Sequence, residues 1–523
     1  MSTRKDQLLK ESPYQYRWWV LGGLGLGLMI INIDVTVINL AIPTIGENFS
    51  AKIYQLQWIN NIYLIAMGGL IITTGKFGDR FGHKTTLLLG VTIFLVGSII
   101  ASLAPNLSTI IAGRFIQGAG MAASFGMIFV LAESHFPKSE RGLAVGLLVI
   151  FTATAQSIGP ILGGFIVTHL GWRWAFLINV PVCLLCLTIL QIFARKDAGN
   201  RNISIHYPSG FLILIAYLLI LLSLNVEPHK GLYSYQFILP LIISIVLLAS
   251  VFLWQRVLPQ PLINLDLLHK KLFQGLLITR ACFQMIFGSF LFILPLYLQN
   301  ILGYEASKVG IFILTMTIFL CISSIVTGIF NNKFNPIPPI VIAQFTCLIG
   351  ALSLTLMPDK LSWYYLIVGM IFIGVTAGIM YSSTNLAAVQ SAPKMEKGAA
   401  YGLFISSTYL WYASGIAITG MILSTISART FLILSSDIIS TVQKPNTLEI
   451  LPFITGAQPL EKITKLFPDP SRHPQLLEWG QAAFHAGFHA LMIGFLCLSI
   501  IGILASLLFK NTTQLLHKEE PFE

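Results

Sequence analysis

Fourteen apolar runs of about membrane-spanning length are the feature that most constrains how this chain can fold. A transmembrane helix needs about 20 apolar residues to cross roughly 30 Å of hydrocarbon. The sequence is 55% hydrophobic and only 10% charged. The runs lie near residues 16–43, 57–75, 84–104, 107–132, 142–168, 174–194, 208–225, 234–255, 272–300, 307–330, 338–357, 363–386, 398–425 and 483–509. An all-α polytopic membrane protein with fourteen transmembrane helices is therefore predicted.

Lysine and arginine are distributed unevenly between the loops. A net charge of +11 would suggest nucleic-acid binding in a soluble chain, but here the basic residues flank apolar runs, where they set orientation. Twenty of them lie on the side that carries both termini, and five lie in the short loops of the other side. We therefore expect both termini in the cytoplasm, a location in the inner (cytoplasmic) membrane, and no nucleic-acid partner. The polar segment 426–482 is expected to be extracytoplasmic.

No cofactor, metal site or catalytic centre is expected. All six cysteines lie inside apolar runs, which argues against a disulfide framework or a thiolate metal site. His485 and His489 have the i, i+4 spacing of zinc ligands, but there is no HExxH motif and we interpret the pair as structural. Neither a phosphate-binding loop nor a catalytic triad spacing is present, so we expect no enzymatic activity.

A short basic segment with three glycines joins the second and third runs. It reads Gly75-Lys76-Phe77-Gly78-Asp79-Arg80-Phe81-Gly82-His83-Lys84, and we call it the hinge segment. Glycine adopts backbone conformations that other residues avoid, and the Asp79 carboxylate suits the partly positive N terminus of a neighbouring helix. A constrained cytoplasmic hinge is predicted. The alternative is a solvated loop whose charges only follow the positive-inside rule.

Six motifs, in order along the first 300 residues, carry a family resemblance. They are the hinge segment and residues 34–43 (DVTVINLAIP), 114–120 (RFIQGAG), 159–164 (GPILGG), 172–181 (WRWAFLINVP) and 295–299 (PLYLQ). Together they resemble the major facilitator superfamily, and within it the 14-helix drug/proton antiporter family of the multidrug efflux permease type. The resemblance implies the major facilitator fold. Two six-helix bundles, 1–195 and 271–523, would then be joined by two inserted helices with flanking loops at 196–270.

The resemblance also implies roles for two of the motifs. The hinge residues Gly75, Gly78, Asp79, Arg80, Gly82 and Lys84 would latch the two halves in one access state, with the turn Gly398-Ala399-Ala400 of helix 13 as receptor. In the fifth helix, Gly159 and Pro160 would bend the chain while Gly163 and Gly164 admit a close neighbour, which keeps leakage low. Ordinary packing glycines are the alternative. The second half has no matching Asp-Arg pair near 328–336, which argues against symmetrical gating.

Asp34 is the only carboxylate well inside a predicted helix, and an acid within a membrane is costly enough to mark a functional site. Counted from Trp19, Asp34 lies roughly 22 Å along helix 1 at about 1.5 Å per residue. Arg114 lies about 12 Å into helix 4 from the opposite end, near the same depth. The resemblance implies that helices 1 and 4 both line the central cavity of the first half. We therefore expect an Asp34–Arg114 interaction, direct or through Gln117 or water, that weakens when Asp34 takes up a proton. A static ion pair is the alternative.

Other polar side chains suggest a substrate cavity. Arg280, in the ninth helix, would snorkel to the interface, pair with Glu133, or attract an anionic group of the substrate. Asn39, in the helix-1 motif, joins Asp34, Arg114 and Gln117 as a candidate for coupling or substrate binding. Helices 12 and 13 carry a polar and aromatic cluster, for which helix–helix contacts are the alternative role: Tyr381, Ser382, Ser383, Thr384, Asn385, Ser406, Ser407, Thr408, Tyr409, Trp411 and Tyr412.

These features predict a proton-coupled secondary transporter that exports small amphipathic compounds by alternating access. Its partners would be a small-molecule substrate, protons and the lipid bilayer. With a single embedded acid, Asp34, monocations, zwitterions or neutral compounds are expected rather than divalent cations. One alternative is a dedicated metabolite or siderophore porter, with import as one of its modes. Another class is a membrane scaffold that uses segment 426–482 to dock a periplasmic adaptor protein.

Overall fold

Helices dominate the computed structural model, which describes residues 14–137, 140–225, 234–259, 261–262, 265–331, 335–358, 362–391, 397–435, 447–466 and 473–510. The first half and the inserted part contain α1 (Arg17–Phe49), α2 (Ile53–Phe81), α3 (His83–Ser102), α4 (Leu107–His135), α5 (Arg141–His169), α6 (Trp174–Leu177), α7 (Asn179–Phe193), α8 (Tyr207–Leu224) and α9 (Tyr235–Gln255).

The remaining helices form the second half. They are α10 (Asp266–His269), α11 (Lys271–Leu296), α12 (Ala306–Asn331), α13 (Ile337–Thr355), α14 (Trp363–Gln390), α15 (Lys397–Leu434), α16 (Thr447–Ile454) and α17 (His473–Lys510). α11 continues into a π-helical turn over Tyr297–Ile301, and a 3-10 segment covers Leu460–Leu466.

Thirteen segments of the described chain are long and apolar enough to cross a membrane, with α6 and α7 forming one of them. The predicted count of fourteen is not confirmed. The fourteenth transmembrane helix would be α5. Its described residues include only a shorter apolar stretch, 158–169, which is not counted among the thirteen. The chain is thus a multi-pass membrane protein whose helix count rests on one segment.

The helices associate in two groups. In the first, α1 packs on α5 and α7, and α4 packs on α2 and α3; in the second, α14 packs on α12 and α13, and α17 packs on α11, α13 and α15. The groups meet along two helix pairs, α2 with α15 and α5 with α12. The pair α8–α9 lies beside them, because α8 packs on both α2 and α15.

Several helices extend beyond the apolar runs that predict them. α1 includes Pro43 and ends at Phe49, since a membrane helix tolerates a proline where neighbouring groups replace the lost hydrogen bond. α15 continues to Leu434 and α17 begins at His473, so both are longer than the predicted 398–425 and 483–509. The extensions still bury side chains, among them Phe431 and Leu476.

The segment between α15 and α17 does not protrude where it is described. Residues 447–466, which we call the cap, bury Ile450, Leu451, Ile454, Leu460 and Ile463. The cap covers the end of the bundle remote from the hinge segment, which we call the far end. There Lys462 Nζ lies 2.7 Å from Glu47 Oε1, and Asn300 Nδ2 donates to the Gly456 carbonyl at 2.9 Å. The extracytoplasmic position expected for 426–482 stays a prediction, and the apolar side chains of its described part pack on the bundle.

Candidate functional site

The Asp34 carboxylate lies at the centre of a buried polar network. It belongs to the middle of α1, about 26 Å from the Arg17 end and about 23 Å from the Phe49 end at about 1.5 Å per residue. This places it deeper than the sequence argument did, because α1 does not end at Pro43. The side chain is 0% exposed. A carboxylate at this depth requires partners, since an unpaired buried charge is strongly unfavourable.

Three side chains donate hydrogen bonds to Asp34. Arg114 Nη1 forms an ion pair with Oδ2, Gln117 Nε2 lies 3.3 Å from Oδ1, and Asn179 Nδ2 lies 2.9 Å from Oδ1. The network thus joins α1, α4 and α7. All three partners offer N–H groups and none offers an acceptor to the carboxylate, so the arrangement suits the charged form of Asp34. Protonation would place an O–H where an acceptor is needed and weaken this set.

The geometry of Arg114 is fixed by further contacts. Its Nε donates to the Ile59 carbonyl at 3.0 Å, and Nη1 also donates to Gln117 Oε1 at 2.9 Å. The guanidinium carbon lies 4.1 Å from the centre of the Tyr63 ring. Arg114 is 1% exposed. The arginine is therefore positioned by α2 as well as by Asp34, which holds it in place if the ion pair weakens.

Asn179 is a functional candidate that the sequence reasoning missed. It lies at the start of α7, inside the motif 172–181, and is buried. Ser98 of α3 was missed too, although its hydroxyl accepts a 2.7 Å hydrogen bond from Gln117. The only sequence signal was the amide side chain of Asn179, which lies close to a proline in the motif 172–181. Amide side chains are common at helix contacts, so this signal is weak. Their alignment with Asp34 depends on tertiary packing.

Asn39 belongs to a separate polar contact. Its Oδ1 accepts a hydrogen bond from Asn60 Nδ2 at 2.7 Å, which links α1 to α2. Among the described residues, Asn39 Nδ2 has no hydrogen-bond partner. The structure therefore places Asn39 on the same helix as Asp34 but outside the hydrogen bonds that Asp34 accepts.

Arg280 lies in the interior of the second bundle. It is 2% exposed, so the expectation that it snorkels to the interface is wrong. Glu133, the suggested partner, is exposed on α4. Arg280 instead stacks on Tyr381, with its guanidinium carbon 4.3 Å from the ring centre, and its Nη1 donates to Thr384 Oγ1 at 3.3 Å. The packing of three helices around this position, which hydropathy does not reveal, explains the difference.

The cavity candidates of α14 and α15 divide into two sets. Tyr381 of α14 stacks on Arg280. Asn385, also on α14, has an Oδ1 without a hydrogen-bond partner among the described residues. Tyr409 contacts α2, because a methyl group at Gly68 would lie 3.1 Å from its Cβ. Trp411 is 39% exposed, and no described hydrogen bond or ring contact joins it to this cluster. Trp411 is therefore not among the residues that the structure brings together.

The hinge segment is more helical than predicted. α2 continues through Gly75, Gly78, Asp79 and Arg80 to Phe81, and α3 begins at His83. Gly82 alone connects them, with a φ of +98° that favours glycine. Gly78 is buried so closely that an added methyl group would overlap Met127, whereas Gly75 faces open space.

Asp197, in the linker after α7, was also missed and holds the hinge segment in place. Its carboxylate accepts hydrogen bonds from the backbone N–H groups of His83 at 2.6 Å and Lys84 at 3.1 Å, which caps α3. Burial alone would raise the pKa of Asp197, but these bonds and the His83 ring hold the pKa below its usual value. The His83 ring lies between Asp197 at 2.6 Å and Asp79 at 3.1 Å.

Further bonds attach the same linker to the hinge. Lys84 Nζ donates to the carbonyls of Gln191 and Ala194, at 2.9 and 2.7 Å, and Arg80 Nη1 donates to the Ile203 carbonyl at 3.3 Å. The Asp79 carboxylate thus faces His83 in this state. Its expected contact with the turn 398–400 of α15 stays a prediction, since the side chains of 397–399 lie outside the described part of the chain.

The glycine motif of α5 contacts both halves of the molecule. An added methyl group at Gly159 would overlap Thr36 Oγ1, and one at Gly163 would lie 2.9 Å from Val37 Cα, so these two residues admit α1. Gly164 allows close packing of α12, because a methyl group added at Gly164 would lie 2.6 Å from the Ala306 carbonyl oxygen. Pro160 faces Gly310 of α12. The motif therefore brings three helices close together at the far end.

Of the two histidines of α17 that have the i, i+4 spacing, His485 is buried and His489 is half-buried. The buried His485 shares a 2.9 Å hydrogen bond with the Tyr297 hydroxyl. In the described part of the chain, no group of three potential metal ligands is found. The structural interpretation of His485 accords with this contact.

Comparison with known proteins identifies the family. A family model described as the Major Facilitator Superfamily matches residues 24–416. The chain is 30% identical over 421 residues to the tetracenomycin C resistance and export protein of Streptomyces glaucescens, covering 78% of this chain and 76% of that protein. It is 26% identical to the riboflavin transporter RibZ of Clostridioides difficile, covering 77% and 87%.

Solved structures agree with the fold. A bacterial homologue of the human lysosomal transporter Spinster, in an inward-facing and unoccupied conformation, superimposes with a TM-score of 0.66 at 14% identity, covering 95% of this chain and 98% of that one. At this identity the similarity concerns the fold alone. From the family match over most of the chain and the helical architecture, the chain belongs to the major facilitator superfamily and is a membrane transporter, not an enzyme.

Proposed function

We propose that this protein exports small amphipathic compounds in exchange for protons. The observation that carries the proposal is the fully buried Asp34–Arg114 pair in the membrane interior. Asp34 would carry the proton, and Arg114, with Gln117 and Asn179, would stabilise its charged form. A buried acid whose partners are all donors changes its contacts when it is protonated. Such a change is what proton coupling requires.

The contacts between the bundles support an access route at the hinge end. Hydrogen bonds between the two groups occur at the far end, where Gln57 Nε2 donates to the Ile416 carbonyl and Gln299 Nε2 donates to the Leu40 carbonyl at 3.2 Å. One more lies midway along α2, where Ser406 Oγ donates to the Gly68 carbonyl at 2.6 Å. Another joins the Ser307 N–H to Thr168 Oγ1 at 3.1 Å. These bonds and the cap favour a closed far end. Alternating access would break them and engage the hinge segment instead.

The topology follows from the charge distribution. We propose that both termini and the hinge segment are cytoplasmic and that the protein lies in the inner membrane. We also propose the division into 1–195, 196–270 and 271–523. Under this orientation the closed far end is extracytoplasmic, and the site opens toward the cytoplasm to collect substrate. The latch role of Asp79 and Arg80 would belong to the opposite state, in which the hinge end closes.

The export proposal is tested in everted membrane vesicles with an imposed inside-acid pH gradient. Riboflavin, tetracenomycin C and ethidium are added in turn while a pH-sensitive dye reports the gradient. Wild-type protein should dissipate the gradient when a substrate is added, and Asp34→Asn at equal expression should not. A compound that Asp34→Asn transports against its gradient with full proton flux would overturn the coupling role.

A dedicated metabolite porter is the second candidate, and the similarity to a riboflavin transporter favours it. The direction of counterflow in vesicles of known orientation separates export from import. The scaffold alternative has less support, because apolar side chains of the cap pack on the bundle. Deleting 447–466 would test it: export lost in cells but retained in vesicles would favour docking.

A further inference from the structure

Arg280 is a buried cation without a counter-ion among the described residues. It is 2% exposed, and its only hydrogen bond among the described residues is the 3.3 Å contact with Thr384 Oγ1. Its Nε has no hydrogen-bond partner in the described part of the chain. Arg114 is also buried and also stacks on a tyrosine ring, but Asp34, Gln117 and the Ile59 carbonyl occupy its donors.

An unpaired guanidinium in the membrane interior is costly and is retained where it faces a binding cavity. Arginine carries five N–H donors in a planar fork that matches a carboxylate or phosphate. Most of this capacity is unused at Arg280. The vacant donors, together with the burial, mark a position where an anionic group from outside the protein would be the natural partner.

Aromatic rings surround this cation from three helices. The guanidinium carbon lies 4.3 Å from the ring centre of Tyr381 on α14, 5.8 Å from that of Phe283 on α11 and 5.9 Å from that of Phe404 on α15. Tyr381 also packs edge-on against Phe283 and Phe287, with centroids 5.9 and 6.0 Å apart. Such a wall binds flat rings through stacked or edge-to-face contacts.

We propose that Arg280 binds an anionic group of the transported substrate, and that the substrate is a flat aromatic compound with one carboxylate or a similar anionic group. The inference rests on the proposed function, because it assumes that the transported substrate reaches Arg280. It narrows the expected substrate class of monocations, zwitterions or neutral compounds to zwitterions, and it adds anions. Arg280 and Tyr381 select the charge and the shape, while Asp34 on the other bundle handles the proton.

The charge of the substrate has a consequence for energetics. Export of a monoanion in exchange for one proton moves two charges in the same electrical sense, whereas exchange of a monocation for one proton is electroneutral. Transport would therefore respond to membrane potential at constant pH, since each charge that crosses the membrane is driven by the potential.

Binding to purified full-length protein tests the anion site with matched probes. Isothermal titration calorimetry would compare 2-naphthoate, the neutral 2-naphthamide, the cationic 2-naphthylmethylammonium, and the saturated decalin-2-carboxylate. We expect 2-naphthoate to bind about tenfold or more tightly than the amide, as a charge-assisted hydrogen bond implies. The cation and the saturated acid should bind more weakly than 2-naphthoate.

Variants assign the preference to the arginine. Arg280→Gln should remove the preference for 2-naphthoate over the amide, and Arg280→Lys should retain part of it. Arg173→Gln is the matched control, because Arg173 also lies 4.3 Å from a ring centre, that of Trp172, but is exposed. It should leave the preference unchanged. Monodisperse elution of each variant in size-exclusion chromatography establishes that it is folded.

Two results would overturn the proposal. One is that 2-naphthoate binds no more tightly than the amide, which includes the case in which no probe binds. The other is that the Arg280→Gln variant still binds 2-naphthoate more tightly than the amide. Because binding requires no proton flux, the two proposals fail separately. If anions bind but give no dye response in vesicles, proton coupling is refuted and the Arg280 site is kept. If only cations give a proton-coupled response, the Arg280 site is refuted and proton coupling is kept.

Discussion

The Asp34 carboxylate and the Arg114 guanidinium, 80 residues apart in sequence, form an ion pair between α1 and α4 that is closed to solvent. Neither charge has another oppositely charged partner among the described residues. Removing one partner therefore strands the other in the membrane interior, a situation that costs about 3–5 kcal/mol in buried pairs.

This relationship predicts that a double substitution is milder than a single one. Arg114→Gln should lower the thermal stability of the protein in detergent, because Asp34 loses its counter-ion. The double variant Asp34→Asn with Arg114→Gln should recover at least half of that loss. Thermal melts monitored by tryptophan fluorescence measure both. If the two single effects simply add in the double variant, the pair is not energetically coupled.

Asn179 is predicted to tune the proton affinity of the site. Asn179→Ala removes the 2.9 Å hydrogen bond to the charged form of Asp34, so protonation becomes easier. We expect the pH dependence of substrate-driven proton flux to move upward, since a hydrogen bond that favours the charged carboxylate is lost.

The control for Asn179 is Asn225→Ala. Asn225 is also buried, but its Nδ2 donates to the nearby Leu221 carbonyl at 2.9 Å, away from Asp34. Its pH profile should match that of the wild type. An Asn179→Ala profile that loses height without moving along the pH axis would assign Asn179 a packing role only.

Gly164 is predicted to keep the far end closed. Gly164→Val would force atoms against the Ala306 carbonyl and Ser307 of α12, and overpacking of this kind costs about 1–3 kcal/mol. The contact between α5 and α12 should open. A cysteine introduced at Thr168 would then react faster with a membrane-impermeant maleimide added from outside.

Gly146→Val is the matched substitution in the same helix, because nothing lies within 4 Å of a methyl group added there. It should leave the labelling rate at the wild-type value. Equal labelling rates in Gly164→Val and Gly146→Val would contradict a sealing role for the motif.

Asp197 is predicted to stabilise the hinge in a pH-dependent manner. Hydrogen bonds hold its folded-state pKa below the usual value, so its contribution is present at neutral pH and is lost as the pH falls through that lowered pKa. At pH 7, Asp197→Ala should cost about 1 kcal/mol, as the loss of a helix cap does. The difference from wild type should shrink below about pH 4.

Thermal melts in detergent between pH 3 and pH 8 measure this difference. Glu461→Gln, which alters an exposed carboxylate of the cap, is the control and should show no such trend. A destabilisation by Asp197→Ala that stays constant down to pH 3 would refute the assignment.

Much of this architecture is available from sequence, because the bilayer imposes length and depth. The rise per residue, together with the family's arrangement of helices 1 and 4, predicts that Asp34 and Arg114 approach each other. The rotation of each helix about its own axis, which decides the direction that a side chain faces, is not predicted by these lengths. Whether Arg280 faces the interior or the interface, and whether Trp411 points to the cavity, depends on how α11 and α15 pack, which hydropathy does not specify.

The missed features share a cause as well. Asn179 and Asp197 act on residues more than 100 positions away, so no local pattern reveals them. The cap has apolar side chains at Ile450, Leu451 and Ile454, but the polar composition of the surrounding segment hides this helical spacing. Helix ends beyond Pro43 were missed because packing, and not composition, decides where a membrane helix stops.

Proton release on substrate binding tests the central role of Asp34 most directly. Purified protein in a lightly buffered detergent solution, with a pH-indicator dye, would receive the compound that gives the largest vesicle response. We predict proton release by the wild type and none by Asp34→Asn, although calorimetry still detects binding to the variant. Proton release by Asp34→Asn that equals the wild-type value would contradict the account, because another group would then carry the exchanged proton.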